Sequence, residues 1–104
     1  MPSSRYTVRL LSIAEQDLVD LVSYVAAENS RAAVDVLDHI EARLEALQSH
    51  PFVGRVPHNP KLTALGYRVL VIDNYLVFYK VKGNAVLVYR ILHGARDLLR
   101  VLSE

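Results

Sequence analysis

The chain has 104 residues, of which 52% are apolar and 22% charged, so it suits one folded domain and is not intrinsically disordered. Cysteine is absent, which excludes disulfides, thiolate metal sites and a cysteine nucleophile, and a reducing cytoplasm is the expected location. Residues 1–50 carry four arginines against eight acidic residues, whereas residues 51–104 carry eight basic residues against three acidic ones. The basic half can bind nucleic acid or an acidic protein, or it is solvated surface.

A strand and two helices are predicted first. Residues Tyr6–Leu11 are rich in β-branched and aromatic side chains and indicate a strand. Ser12 and Glu15 have the spacing of a capping box, which predicts that the first helix begins at Ser12. The helical spacing of apolar residues breaks at Asn29, and Ser30 is expected to cap a second helix, antiparallel to the first. No run approaches the ~18 apolar residues of a membrane span, so no membrane association is expected.

Prolines and glycines punctuate residues 49–66, which are predicted to form a loop, either functional or a passive crossover. The turn pairs Asp73-Asn74 and Gly83-Asn84 tolerate positive φ and predict tight hairpins. The strands that they connect are expected at Tyr67–Ile72, Tyr75–Val81 and Ala85–Leu92, and a short helix or tail at Ala95–Leu102. The fold class is therefore α+β, a single domain over residues 1–104 in the order β-α-α-β-β-β with an antiparallel meander.

Two-residue turns fix the expected strand pairing. They place residue 68 opposite 79, 79 opposite 88, 70 opposite 77 and 77 opposite 90. One sheet face should then carry Arg68, Tyr75, Tyr79 and Arg90. The other face is expected to pack on the helices and to carry Tyr67, Val69, Val71, Leu76, Phe78, Leu87, Tyr89 and Ile91.

Two arginines on one face predict an open anion-binding surface, because arginine is costly to bury without a partner. Guanidinium groups bind phosphate and tyrosine rings stack on bases, as an RNA-cutting groove requires. The apolar residues Leu70, Val77 and Val88 on that face are expected to contact a protein partner. Alternatively, the arginines pair with acidic side chains within the fold or on a partner.

A histidine also stands where the last predicted strand ends. His93 has the reference pKa of a general acid or base at neutral pH, although an ordinary structural role is the alternative. His39, His50 and His58 lack the spacing of metal ligands, and phosphate-binding and dinucleotide motifs are absent. Neither a metal nor a cofactor is expected.

Four segments, which span nearly the whole chain, resemble the RelE/ParE superfamily of toxins. They are SIAEQDLVDLVSYV, LQSHPFVGR, YRVLVIDNYLVFYKV and VYRILHGARD. The last segment and the hairpin before it are more similar to ParE-type than to RelE-type toxins. The resemblance implies the toxin of a type II toxin–antitoxin pair, inhibited by a cognate antitoxin whose C-terminal segment wraps the toxin surface.

The resemblance also implies two possible targets. ParE-like members poison DNA gyrase, whereas RelE-like and YoeB-like members cut messenger RNA in the ribosomal A site. Arg68 matches the position of a catalytic arginine in the ribonucleases, and His93 matches the YoeB-like histidine.

Gyrase inhibition is the preferred interpretation. Gly94 stands where the YoeB-like pattern has a tyrosine, and the loop offers only Arg55 and Lys61 where RelE-like toxins are rich in lysine. A net charge of +1 also disfavours tight binding of ribosomal RNA. Ribosome-dependent cleavage and an inactive antitoxin-binding module remain the alternatives. The residues expected to bind the target or the antitoxin are Arg55, Arg68, Tyr75, Tyr79, Arg90, His93, Arg96 and Asp97.

Overall fold

The computed structural model describes residues 5–94. Its elements are β1 (Thr7–Leu10), α1 (Ser12–Glu28), α2 (Ser30–Ala46), α3 (Pro60–Ala64), β2 (Arg68–Ile72), β3 (Tyr75–Lys82) and β4 (Ala85–His93). The α+β class and the order of strands and long helices are confirmed. The short helix α3 lies inside the predicted loop and was missed. The helix or tail predicted at Ala95–Leu102 falls outside the described residues.

Both long helices begin where the sequence predicts, but their caps differ. Leu11 occupies the N-cap position of α1 and no side chain caps this helix, so the predicted capping box does not form. At α2 the cap is Asn29, whose side chain accepts a hydrogen bond from the Ala32 N–H at 3.0 Å. Ser30 is already the first helical residue, and the extended backbone of Asn29 is what a capping residue needs.

The strands form one sheet in the order β1-β4-β3-β2. Strand β1 pairs parallel with β4, whereas β2, β3 and β4 form the predicted antiparallel meander. The two-residue turns are confirmed, with φ of 54° at Asp73 and 60° at Gly83. The meander therefore has a short parallel strand along its β4 edge, which the sequence alone did not place.

The predicted assignment of the sheet faces is wrong. The face that packs on the helices, here called the inner face, carries Leu70, Ile72, Val77, Tyr79, Val86 and Val88. Leu70, Val77 and Val88 are at most 4% exposed, so they belong to the core and cannot contact a partner. Both faces are rich in apolar side chains, and alternation alone separates two faces without showing which one the helices cover.

A β-bulge changes the register at the middle of β4. Phe78 pairs with Arg90 but the next residue, Tyr79, pairs with Val88, so Tyr89 is an extra residue on this strand. Val77 consequently pairs with Ile91, and the predicted pairing of 77 with 90 is off by one. Beyond the bulge, Ile91 joins the buried core, so the expectation that Ile91 packs toward the helices is correct.

Tyr79 anchors the long loop to the core. Its side chain is fully buried, and its hydroxyl accepts a hydrogen bond from the Gly54 N–H at 2.9 Å. A Cβ on residue 54 would lie only 2.6 Å from the Tyr79 hydroxyl oxygen. The loop backbone can approach the ring this closely only because residue 54 is glycine. Tyr79 is therefore not the exposed stacking ring that the sequence predicted.

Replacing Gly54 by alanine should destabilise the fold, because the new methyl group overlaps a buried ring that cannot move freely. We expect Gly54→Ala to lower the free energy of unfolding in urea by about 2–3 kcal/mol. Gly66→Ala is the matched control, because a Cβ there meets nothing within 4 Å and only the φ of 88° opposes it. A loss at residue 54 no larger than the loss at residue 66 would contradict this account.

Stability should also fall at alkaline pH. Burial raises the pKa of Tyr79 above its ordinary value of 10.0, although the Gly54 hydrogen bond and the Arg68 charge oppose the shift. The unfolded chain then ionises at lower pH than the folded one, so the free energy of unfolding decreases as pH rises above 10.0. Tyr79→Phe should make this decrease smaller in urea titrations, whereas Tyr24→Phe, at an exposed tyrosine, should not.

Candidate interaction site

Arg68 does not lie on an open anion-binding surface. Its Nη1 donates hydrogen bonds to the carbonyl oxygens of Gly54 at 2.9 Å and Phe52 at 3.2 Å. The guanidinium carbon also lies 5.1 Å from the centre of the Phe52 ring. Through Nη1 and the face of its guanidinium group, Arg68 therefore holds the loop against β2.

Arg68 and His93 lie at opposite ends of the sheet. Arg68 pairs with Tyr79 on one side of β3, and His93 pairs with Tyr75 on the other side. At ordinary strand spacings their backbones are about 13 Å apart along the strands and about 10 Å apart across them. His93 is exposed, and its ring contacts Tyr75 edge-on at 5.6 Å. The site predicted around these residues is therefore divided into two separate places.

Arg90 forms an internal ion pair. Its Nε and Nη2 donate to the two carboxylate oxygens of Asp17 at 2.8 and 3.1 Å. Asp17 Oδ2 also accepts the backbone N–H of Ile91 at 2.9 Å. Because β1 pairs with β4 only as far as Val88, this carboxylate of α1 occupies the next position along the β4 edge. Arg90 therefore pairs with an acidic side chain within the fold, which was the alternative expectation, and its role in binding a target or antitoxin stays a prediction.

The remaining predicted residues divide between the loop and the C-terminus. Arg55 is exposed, and its backbone forms an isolated bridge with Val69 of β2. Arg96 and Asp97 lie outside the described residues, so their predicted binding roles stay predictions.

The sequence prediction missed a basic surface on the sheet face turned away from α1 and α2. This outer basic surface consists of Arg9, Lys80, Lys82, Tyr67 and Tyr89. The Lys80 amine lies 4.5 and 5.0 Å from the centres of the Tyr67 and Tyr89 rings. Burial and the neighbouring Tyr89 raise the pKa of Tyr67.

A cation between two tyrosine rings on an open sheet can bind a polyanion or an acidic peptide. The alternation of Lys80 and Lys82 with the inward Val81 is the sequence signal that could have revealed this surface. Recognising it required knowledge of which face the helices cover.

Residues 5–94 contain no group of three His, Asp or Glu side chains that could hold a metal ion. Among the same residues, no helix has the length and apolar character needed to cross a membrane.

Removing the Asp17 carboxylate should destabilise the fold. We expect Asp17→Ala to lower the free energy of unfolding by about 1–3 kcal/mol, because the Ile91 N–H and the Arg90 guanidinium lose their shared acceptor. Asp35→Ala is the matched control, since Asp35 forms only an exposed pair with Arg31 at 4.0 Å. Equal effects of the two substitutions in urea unfolding would argue against a special role for Asp17.

The chain is similar to a known protein family and to two solved structures. The family described as "ParE toxin of type II toxin-antitoxin system, parDE" matches residues 8–98. A chain of the "Chromosomal ParDE TA system from P. aeruginosa" superposes with a TM-score of 0.73 at 20% identity, over 88% of this chain and 99% of that one. A chain of the toxin–antitoxin complex RelBE2 from Mycobacterium tuberculosis superposes with a TM-score of 0.60 at 23% identity, over 86% of this chain and 98% of that one.

No curated protein matches the sequence. The two solved structures are similar in fold, and the family match covers both long helices and nearly all of the sheet. The chain therefore belongs to the ParE toxin family of type II toxin–antitoxin systems.

Proposed function

We propose that this toxin acts in the cytoplasm by inhibiting DNA gyrase, and that a cognate antitoxin neutralises it. Membership of the ParE family supports a toxin of this kind, and the resemblance of the hairpin and C-terminal segments to ParE-type toxins favours gyrase as the target. The observation that carries the choice of target is the engagement of Arg68 with the loop carbonyls of Phe52 and Gly54.

A ribonuclease site needs its acid, its base and its phosphate-binding cation within hydrogen-bonding reach of one scissile phosphate. Arg68 donates to two backbone oxygens, and its backbone is roughly 16 Å from that of His93 at standard strand spacings. The two hydrogen bonds from Nη1 hold this side chain against the loop. This geometry supports inhibition by binding rather than by RNA cleavage.

A cognate antitoxin is supported by the charge distribution. The outer basic surface carries Arg9, Lys80 and Lys82, and no acidic side chain lies on this face of the described strands. An acidic antitoxin segment would be attracted there by complementary charge. Both structural relatives named above were solved as parts of toxin–antitoxin systems.

Ribosome-dependent cleavage of messenger RNA is the second candidate, and the outer basic surface is the observation that favours it. Lysine and arginine beside two tyrosine rings suit phosphates and stacked bases. The fold similarity to the RelBE2 chain is compatible with this alternative.

One purified preparation can separate the two targets. With gyrase and supercoiled plasmid, we expect the toxin to accumulate cleaved gyrase–DNA complexes, measured as linear plasmid after protease treatment. On translating ribosomes, primer extension should show intact messenger RNA. His93→Ala and Arg68→Ala should leave the messenger RNA result unchanged, provided that thermal unfolding confirms folded protein.

The opposite result would support the second candidate. If messenger RNA were cut at codon boundaries, and if folded His93→Ala lost that activity while gyrase stayed unaffected, gyrase inhibition would be wrong. Expression of the toxin alone should arrest growth, and co-expression of the adjacent open reading frame should restore it.

A further inference from the structure

The cations of the outer basic surface lie close together on neighbouring strands. Arg9 of β1 pairs with Leu87 of β4, and Leu87 pairs with Lys80 of β3. Lys82 lies two residues further along β3, where it pairs with Ala85. At ordinary sheet spacings the Cα atoms of Lys80 and Lys82 are about 7 Å apart, and those of Lys80 and Arg9 are about 10 Å apart. Three positive charges therefore share one patch of the sheet.

This patch is the open part of the outer sheet face. Val69 and Phe78 lie on the same face, but they line a cleft whose other side is formed by the chain from Arg55 to Asn59. The long loop thus covers that part of the face. Arg9 and Lys82, by contrast, are exposed. A partner that approaches this face of the sheet therefore meets the cations.

The three cations are not neutralised within the described part of the chain. Arg9, Lys80 and Lys82 form no ion pair with any acidic residue among residues 5–94. The Lys80 amine lies instead against the rings of Tyr67 and Tyr89, at 4.5 and 5.0 Å from their centres. A ring face attracts an ammonium group and fixes its position, but it leaves the positive charge in place. The patch is therefore a preorganised site for anions.

The hydrogen-bonding groups of this patch suit phosphates better than a peptide. Strands β4 and β3 are the two inner strands of the sheet, and their backbone groups pair with neighbouring strands on both sides. A peptide that lies across them has no strand edge with which to pair. The ammonium and guanidinium groups are donors only, and phosphate oxygens are acceptors. Each DNA strand carries one phosphate per about 3.4 Å of helix axis, so several cations can each contact a different phosphate.

We propose that the phosphate backbone of duplex DNA binds to Arg9, Lys80 and Lys82, independently of base sequence. The choice of duplex DNA rests on the proposed function, because the target named there is an enzyme that holds duplex DNA. Contacts to phosphates position a protein on DNA without reading its sequence. The acidic antitoxin segment proposed above competes with DNA for the same cations.

A salt titration of the whole toxin with a labelled duplex oligonucleotide tests this proposal in the absence of gyrase. Fluorescence anisotropy gives the association constant at each salt concentration. If every cation neutralises one phosphate, the logarithm of this constant should fall against the logarithm of salt concentration with a slope of about −3. Two duplexes of unrelated sequence should bind with the same affinity.

Single substitutions assign the binding to the patch. Lys82→Gln and Arg9→Gln should each weaken binding by about fivefold to tenfold at about 0.1 M salt, and each should make the slope shallower by about one. Lys82→Arg keeps the charge and should bind like the original protein. Arg31→Gln is the matched control for Arg9→Gln, because it removes the same charge from an exposed position of α2 and should leave binding unchanged. Thermal unfolding identifies any variant that fails to fold.

The opposite results overturn the proposal. They are no binding of the duplex at low salt, or folded Lys82→Gln and Arg9→Gln that bind it as tightly as the original. Both leave the proposed inhibition of gyrase standing, since the plasmid-cleavage assay decides it separately. Tighter binding of single-stranded RNA than of the duplex, weakened by the same variants, would assign the patch to the second candidate function. Binding of poly-glutamate but not of DNA would show that the patch accepts acidic proteins alone.

Discussion

The close approach of the loop backbone at Gly54 to the buried Tyr79 ring is the constraint on which the rest of this structure depends. The ring occupies the centre of the inner face, and its hydroxyl accepts the Gly54 N–H. That contact brings the carbonyls of residues 52 and 54 within reach of Arg68 and aligns Arg55 beside Val69. The string LQSHPFVGR, which carries part of the family resemblance, therefore has a physical reason for its glycine, because a side chain at residue 54 would overlap the Tyr79 ring.

The bulge at Tyr89 has a comparable influence on the other side of the sheet. One extra residue turns Ile91 into the core and places the Ile91 N–H at an edge that β1 does not reach. The Asp17 carboxylate accepts the hydrogen bond of this N–H, which in a longer strand pair a backbone carbonyl would accept. The ion pair with Arg90 compensates the carboxylate, which is only 14% exposed, and explains why an acidic residue is tolerated on the inner side of α1.

The sequence predicted the positions of the helices and strands better than the way they pack against one another. Helix positions and tight turns depend on neighbouring residues, so Ser12, Asn29 and the two turn pairs were sufficient to place them. The sheet faces depend on what covers them, and apolar residues on both sides left that choice undetermined. The bulge carries no local signal at Tyr89, and the partners of Arg68 and Arg90 are distant in sequence. Arg68 and Tyr79 were consequently expected on the open face, although they lie on the inner one. The family followed from contiguous strings, which require no knowledge of packing.

Acidic residues are concentrated in the two long helices, and basic residues in the loop and the sheet. This separation of charge affects how the protein approaches other molecules. The helices α1 and α2 contain eight acidic residues and two arginines, whereas residues 47–94 contain six basic residues and one aspartate. This arrangement gives the molecule a permanent electric dipole across its thickness, although the net charge is close to zero. In the field of a polyanion the molecule therefore rotates before contact so that the sheet leads and the helices trail. Because the Debye length is about 8 Å at physiological ionic strength, this alignment acts only in the last nanometre of approach.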